Sequence, residues 1–293
     1  MQLNGLKFLF IVNPVSGGKT KNNWEAAIRQ FFKPFAHTFE VFVLDGKNDA
    51  VSLRHYIHSL QPDRVVAVGG DGTVSLVAKQ LFGTDIPLGI LPAGSANGMA
   101  KELNIKTSID DALQTLVNGV VKDVDVIRIN SQFFCLHLSD IGLNARLVHY
   151  FELNNLRGMI GYFRVLFKTL LKQRKMSVSI DTPGNTVTRD ALMVVLANAR
   201  KYGTGAVINP DGDLSDGMFE VVVVKKLAIS ELIKMMFHKW RFNPNKVEVF
   251  HTRHASISTK HTVHFQIDGE YIGKVRKVDA VIETRKLKLI LPA

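Results

Sequence analysis

From Val65 to Thr73 the chain reads Val-Val-Ala-Val-Gly-Gly-Asp-Gly-Thr, a buried-strand run closed by a glycine-rich turn that carries one acid and one hydroxyl. Gly69, Gly70 and Gly72 let the backbone come close to another molecule. Thr73 to Leu81 then place apolar side chains at 74, 77, 78 and 81, the spacing of an amphipathic helix. Strand, glycine turn and helix start together form an anion site, because unpaired N–H groups and the helix dipole both point at the ligand. Asp71 in that place repels phosphate unless a cation lies between them. The chemistry indicated is the binding of a nucleotide with its metal.

Two other loops could share that task. Asn13-Pro14-Val15-Ser16-Gly17-Gly18-Lys19-Thr20 nearly spells a P-loop, but Asn13 stands where the first glycine belongs and Pro14 removes a donor N–H. What remains is a small-residue turn in which Ser16 and Lys19 can reach phosphate, or else an ordinary strand–helix connection. In Pro92-Ala93-Gly94-Ser95-Ala96-Asn97-Gly98 a strand ends and Ser95 can cap a helix beginning at Ala96. In a parallel sheet, loops 13–19, 69–75 and 94–98 leave one edge and can converge on a single triphosphate.

The elements that must hold these loops are legible in the periodicity. Strand-like runs (Lys7–Val12, Thr38–Leu44, Val65–Val68, Leu88–Leu91) alternate with helix-like ones (Asn23–Phe32, Ala50–Leu60, Thr73–Leu81, Ala96–Leu103, Ile109–Val117). That alternation predicts a parallel α/β sheet with its ligand at the carboxyl ends of the strands. From Asp123 strands dominate: Val124–Ile129, Phe133–Leu138, Met176–Ile180, Ala191–Asn198, Met218–Val224, Val247–Ile257 and Val263–Ile267. Turn signals at Asp211-Gly212, Asp216-Gly217 and Asp268-Gly269 separate several of them. This half reads as an antiparallel β-sandwich interrupted by helices near 155–174 and 229–240. The fold class expected is α/β plus all-β.

With 293 residues and 46% hydrophobic content the chain can fill two cores. A formal charge of +11 favours polyanionic partners, and composition does not choose among nucleic acid, an anionic membrane and phosphorylated substrates. Cys135 is the single cysteine, so no disulfide framework exists and a reducing cytoplasm is the simplest home. Phe8 to Val12 is too short for a signal-peptide core, and no apolar run approaches the ~18 residues of a spanning helix. Membrane contact is expected to be peripheral.

Five motifs taken in order resemble the diacylglycerol kinase catalytic-domain family of lipid kinases, which includes bacterial diacylglycerol kinases, sphingosine kinases and ceramide kinases. They are Asn13-Pro14-x-Ser16-Gly17, Gly69-Gly70-Asp71-Gly72-Thr73, Pro92 to Asn97, Asp211 to Gly217, and Ile267-Asp268-Gly269-Glu270. The resemblance implies an N-terminal nucleotide domain (1–124 with 284–293) and a lipid-carrying β-sandwich (125–283). Lys286–Leu291 would be the last strand, returning to the first domain. It implies ATP and Mg2+, with Asn13, Pro14, Ser16, Gly17, Lys19, Gly69, Gly70, Asp71, Gly72, Thr73, Ser75, Gly94, Ser95 and Asn97 around the nucleotide. It makes Glu270 the general base, with Asp268 and Asp71 beside the chemistry. Asp71 and Asp125 would organise the catalytic metal through water, which suits magnesium. Asp213, Asp216 and Met218 match a second magnesium site. Without the resemblance, Asp268-Gly269 is simply a hairpin turn. Gly98, Ser75 and Leu76 depart from the bacterial pattern, which leaves open a non-catalytic lipid- or nucleotide-binding regulator.

The substrate side is read from 155–175, whose apolar stripe at 156, 159, 160, 163, 166, 167, 170 and 171 is flanked by Arg157, Arg164, Lys168, Lys172, Arg174 and Lys175. Such a helix can lie on an anionic bilayer or pack on the sandwich with its charges in water. Met235, Met236, Phe237 and Trp240 invite the same two readings. The partners expected are a lipid substrate and an anionic membrane surface, with no nucleic acid and room for a homodimer. A NAD kinase-like enzyme is the rival enzymatic reading, since Gly-Gly-Asp-Gly-Thr also fits it. His251, His254, His261 and His264 lie along strands without cysteine partners, which favours surface or packing roles over zinc.

Overall fold

The structure, a computed structural model, describes residues 5–16, 24–153, 175–202, 205–237 and 241–293. Gly17, Lys19, most of the 155–175 stretch and Trp240 therefore lie outside the described residues, as do the side chains of Met236 and Phe237. The chain divides into two compact units, Met1–Val124 with Arg285–Ala293, and Asp125–Thr284.

In the first unit β1 (Lys7–Val12), β2 (Thr38–Val43), β3 (Arg64–Gly69) and β4 (Leu88–Pro92) are parallel. The end of β14 (Glu270–Leu291) joins β4 through Leu289 opposite Leu88. The order is β2-β1-β3-β4-β14. Alternate residues serve alternate faces. Phe8, Phe10, Val66, Val68 and Leu91 form one core with Ile28 and Phe32 of α1 (Trp24–Phe32) and Leu113 and Leu116 of α5 (Ile109–Asn118). Leu9, Ile11, Val65 and Ala67, fully buried, point to the other face. There α3 (Asp71–Leu81) packs on β3, and α2 (Asp49–Leu60) packs on α3. The chain runs from β1 to β2 on one side and then crosses back to β3 on the other. That reversal opens a crevice at the carboxyl ends of β1 and β3, where open α/β sheets take their ligands.

The second unit is antiparallel. Strands β12 (Val247–Thr252), β11 (Phe219–Val224), β10 (Met193–Ala197), β7 (Leu138–Gly142), β13 (His254–Ile267) and β14 are neighbours in that order. Hairpins β5–β6 (Val120–Ile129, Phe133–Cys135) and β8–β9 (Met176–Thr182, Asn185–Ala191) complete it. Period-two alternation builds two cores. Val194, Leu196, Val221 and Val223 face one, between the strand layers. Met193, Val195, Val222 and Val224 face the other, with Leu143 and Leu147 of α6 (Leu143–Leu153) and Met235 of α7 (Ile229–Phe237). Met235 thus belongs to the core. Among the described residues no helix is long and apolar enough to cross a membrane.

Several element boundaries differ from expectation. Phe133–Leu138 is two strands, because the amides of Leu136, His137 and Leu138 turn onto the Asp268 carboxylate instead of extending β6. Helix α6 went unread. The expected strand Lys286–Leu291 is the last part of a 22-residue strand whose earlier stretch is masked in sequence by Lys274, Arg276 and Lys277.

Candidate functional site

The crevice of the first unit is built by three loops that interlock. At the end of β1 the Asn13 amide donates to the Val68 carbonyl (3.1 Å), and its side-chain Nδ2 donates to Thr73 Oγ1 (3.1 Å). Asn13 Oδ1 accepts from the Val15 amide at 3.0 Å, and Ser16 Oγ donates to the Asn13 carbonyl at 3.1 Å. A P-loop glycine could not make this clasp. Asn13 holds the first loop to the second, with Pro14 exposed and Ser16 half-buried.

Thr73 is buried and folds back over the turn, so a Cβ on Gly69 would stand 2.3 Å from its Oγ1. Helix α3 starts two residues earlier than its apolar pattern indicated, at Asp71, leaving Gly72 exposed in the first turn and Ser75 buried. The second loop meets the third just as closely. The Ala93 amide donates to the Gly69 carbonyl at 2.8 Å, and a Cβ on Gly94 would lie 2.4 Å from Gly70 Cα. Glycine at 94 is what lets the two backbones touch.

Ser95 does not cap the third-loop helix. It is exposed, and α4 (Gly98–Glu102) begins two residues beyond Ala96 because Asn97 adopts the left-handed conformation (φ 51°). The Asn97 side chain closes the loop on Gly94, accepting its amide (2.8 Å) and donating to its carbonyl (2.9 Å). The cap comes from the second loop. Asp71 Oδ2 accepts from the Gly98 amide (2.9 Å) and Oδ1 from Met99 (3.0 Å). A carboxylate at a helix start stabilises it by charge as well as by hydrogen bonds. Loops 13–16, 69–75 and 94–98 are thus brought together.

In the second unit Asp268 (φ 50°) and Gly269 (φ 88°) form a turn with both central residues left-handed, the geometry favoured between twisted antiparallel strands. The Asp268 carboxylate accepts from the amides of Leu136 (2.9 Å), His137 (2.8 Å) and Leu138 (3.2 Å), with Cys135 Sγ at 3.3 Å. Burial, then the neighbouring Asp268 charge, pushes the Cys135 thiol up. Glu270 follows, exposed at the first position of β14 and opposite Ile267.

Behind this turn lies a network the sequence reading missed. Asp140 is buried on β7, and its Oδ2 accepts from Asn144 Nδ2 (2.5 Å) and Gln266 Nε2 (2.5 Å). Gln266 Oε1 accepts from the Gly269 amide (2.8 Å), so one side chain joins Asp140 to the turn carrying Glu270. The available signal was an acid inside the apolar run Leu138–Gly142. Burial raises Asp140 to about 6, against the opposing pull of its hydrogen bonds. The unfolded chain releases this proton near 3.9, while the folded chain keeps it to about 6. Stability therefore falls as pH rises through that window and levels off above it, by up to ~3 kcal/mol. Urea unfolding between pH 4 and 7 should show this loss in the wild type and not in Asp140→Asn; parallel curves would refute it.

Asp125, buried, accepts from the Gly217 amide (2.7 Å), and its own amide donates to Leu214 (2.7 Å), which ties β5 to the 211–217 loop. Asp213 Oδ1 accepts from the amide and hydroxyl of Ser215 (2.9 and 2.8 Å), and Asp216 Oδ1 from the Met218 amide (2.9 Å). Among the described residues no three His, Cys, Asp or Glu side chains form a metal cluster. The 211–217 loop gathers three exposed carboxylates, Asp211, Asp213 and Asp216, a donor set that suits a hydrated magnesium ion better than a closed cage. His251 Nδ1 pairs with Glu220 at 2.8 Å, and His264 Nδ1 lies 3.0 Å from Tyr271 Oη.

Comparison with known proteins agrees across both units. Residues 7–129 match the diacylglycerol kinase catalytic domain, and residues 140–290 match the YegS C-terminal NAD kinase beta sandwich-like domain. A diacylglycerol kinase of Bacillus subtilis is 25% identical over 271 residues, covering 90% of this chain and 89% of its own. One from Staphylococcus saprophyticus is 27% identical over 223 residues, covering 73% and 72%. The crystal structure of a diacylglycerol kinase from Bacillus anthracis shares the fold, with a TM-score of 0.75 at 20% identity over 98% of this chain and 97% of that one.

Proposed function

Since the chain belongs to the diacylglycerol kinase catalytic-domain family, with the YegS-type β-sandwich as its second part, we propose that this lipid kinase moves the γ-phosphate of ATP to a hydroxyl of a membrane lipid. The observation that carries the reading is the interlocked set of three loops at the point where the strand order reverses. Phosphoryl transfer asks a protein mainly for positioning, for charge against the phosphates and for an acceptor of the hydroxyl proton. Backbone N–H groups at the start of α3, the loop at 94–98 and Ser16 supply the first. Glu270, exposed and held by a rigid turn, is the proton acceptor. Asp268 positions it without reacting, since its oxygens are committed to three amides.

Mg2+, when bound, offsets the charge of the transferring phosphate. Asp125 would organise that ion through water, while Asp213, Asp216 and Met218 would hold a second ion that shapes the 211–217 loop. Asp71 would act toward a metal only through water, as both oxygens already accept amides. The enzyme would work at the cytoplasmic face of an anionic membrane, attached peripherally.

Transfer of labelled phosphate from ATP into total lipid extract, with mass identification of the product, tests this. Labelled phospholipid is expected. ATP binding without transfer to diacylglycerol, sphingoid bases or ceramide would favour the regulator reading instead. Gly94→Ala probes the loops directly. Its methyl overlaps Gly70, and overpacking of on the order of 1–3 kcal/mol predicts ATP binding about tenfold weaker or worse by calorimetry. Unaltered affinity would show that loops 69–75 and 94–98 do not jointly hold nucleotide.

A further inference from the structure

The second unit contains a cavity of about 820 Å3 lined by Arg146, Lys175, Lys260, His261 and His264, with Asp190 as the one carboxylate among the described lining residues. Three separate elements deliver these side chains, of which Arg146, Lys175 and Lys260 are the cations. Arg146 comes from α6, Lys175 from the residue before β8, and the other three from β13. The pairing of β13 with β14 slips between Ser258 and Val263, so Thr259 to Thr262 leave that ladder and line the cavity. Arg146, Lys175 and Lys260 form no ion pair among the described residues. A cavity of this size is within the range of small-molecule sites.

We propose that this cavity binds a phosphate anion, the group common to a phospholipid headgroup and free phosphate. Folding brings Arg146, Lys175 and Lys260 to one concave surface with Asp190 as the single opposing acid among the described lining residues, an arrangement that costs free energy until an anion enters. Arg gives such an anion paired N–H donors, and Lys a point charge. A separate effect agrees. The His264 imidazole is held below its usual range, first by burial and then by Lys274, His149 and Arg146. Tyr271 bonds its Nδ1 and stacks on His149 at 3.9 Å, so the ring is fixed while the cations crowd it. An anion at Arg146 would screen that crowding and shift the His264 titration upward.

The test follows the His264 C2–H resonance by NMR, assigned with His264→Gln, during titration with inorganic phosphate and then glycerol 3-phosphate, without ATP. The His264 pKa should rise in both. The Arg146→Gln/Lys260→Gln double variant should bind either about 25-fold more weakly, at roughly fivefold per cation removed. A second arm sediments the protein with phosphatidylglycerol or phosphatidylcholine vesicles. Phosphatidylglycerol binding that weakens in the double variant and is competed by phosphate supports the lipid headgroup as source. Vesicle binding untouched by the double variant, with phosphate binding lost, supports free phosphate. A His264 titration unmoved by either anion, or a double variant that binds phosphate like the wild type, overturns the proposal. None of these readouts needs turnover, so an inactive kinase would leave the result standing.

Discussion

Replacing Glu270 with Gln is expected to preserve the fold and ATP affinity while lowering lipid phosphorylation by about 10²–10⁴-fold, the range of a lost general base. The amide matches the carboxylate in size and cannot take the hydroxyl proton. Because Glu270 is exposed, no buried partner is stranded by the change. Thermal melts and ATP calorimetry serve as controls, and kcat is the readout. Wild-type kcat in the variant would remove Glu270 from the chemistry. A fall in melting temperature together with kcat would make its role structural.

The neighbouring acid should behave in the opposite manner. Asp268→Ala removes the acceptor for three backbone amides at 136–138, and each stranded amide costs on the order of 1–3 kcal/mol. Partial access of water to the site lowers the sum, so a loss of about 3–5 kcal/mol is expected in denaturant unfolding. Asp268→Asn should fall between, since one carboxylate oxygen becomes a donor facing donors. A loss below about 1 kcal/mol in the alanine variant would contradict the role assigned to this carboxylate. Two acids two residues apart thus separate cleanly into one that is felt in rate and one that is felt in stability.

Local pattern carried most of the first unit. Strand β1 was readable to the residue, and β3 and β4 to within one residue at each end, because buried parallel strands are continuous apolar runs bounded by glycine and proline. The second unit was read less well. Helix α6 follows β7 without a polar break, so Leu143 to Phe151 carried no start signal; its N-terminal turn is tied instead through Asn144 to Asp140. Positions in the site were legible where a motif named them, whereas their partners were not. Nothing near Asp71 in sequence says that its carboxylate caps a helix 27 residues later, and nothing near Asp268 points to amides 130 residues before it. Long-range hydrogen bonds leave no periodicity. Gln266 was invisible for the same reason, and Asp140 showed only as an acid inside an apolar run, with nothing to name its partners.

The parallel sheet of the first unit takes its fifth strand from residues 285–291, after the 160 residues of the second unit have been made. On a ribosome adding 5–20 residues per second, the nascent sheet would wait roughly 10–30 s with the β4 edge unpaired. An open edge of that kind recruits stray strands. Biosynthesis of this enzyme therefore passes through an interval in which its first unit is nearly assembled and still sticky, which makes that interval the natural point for chaperone engagement.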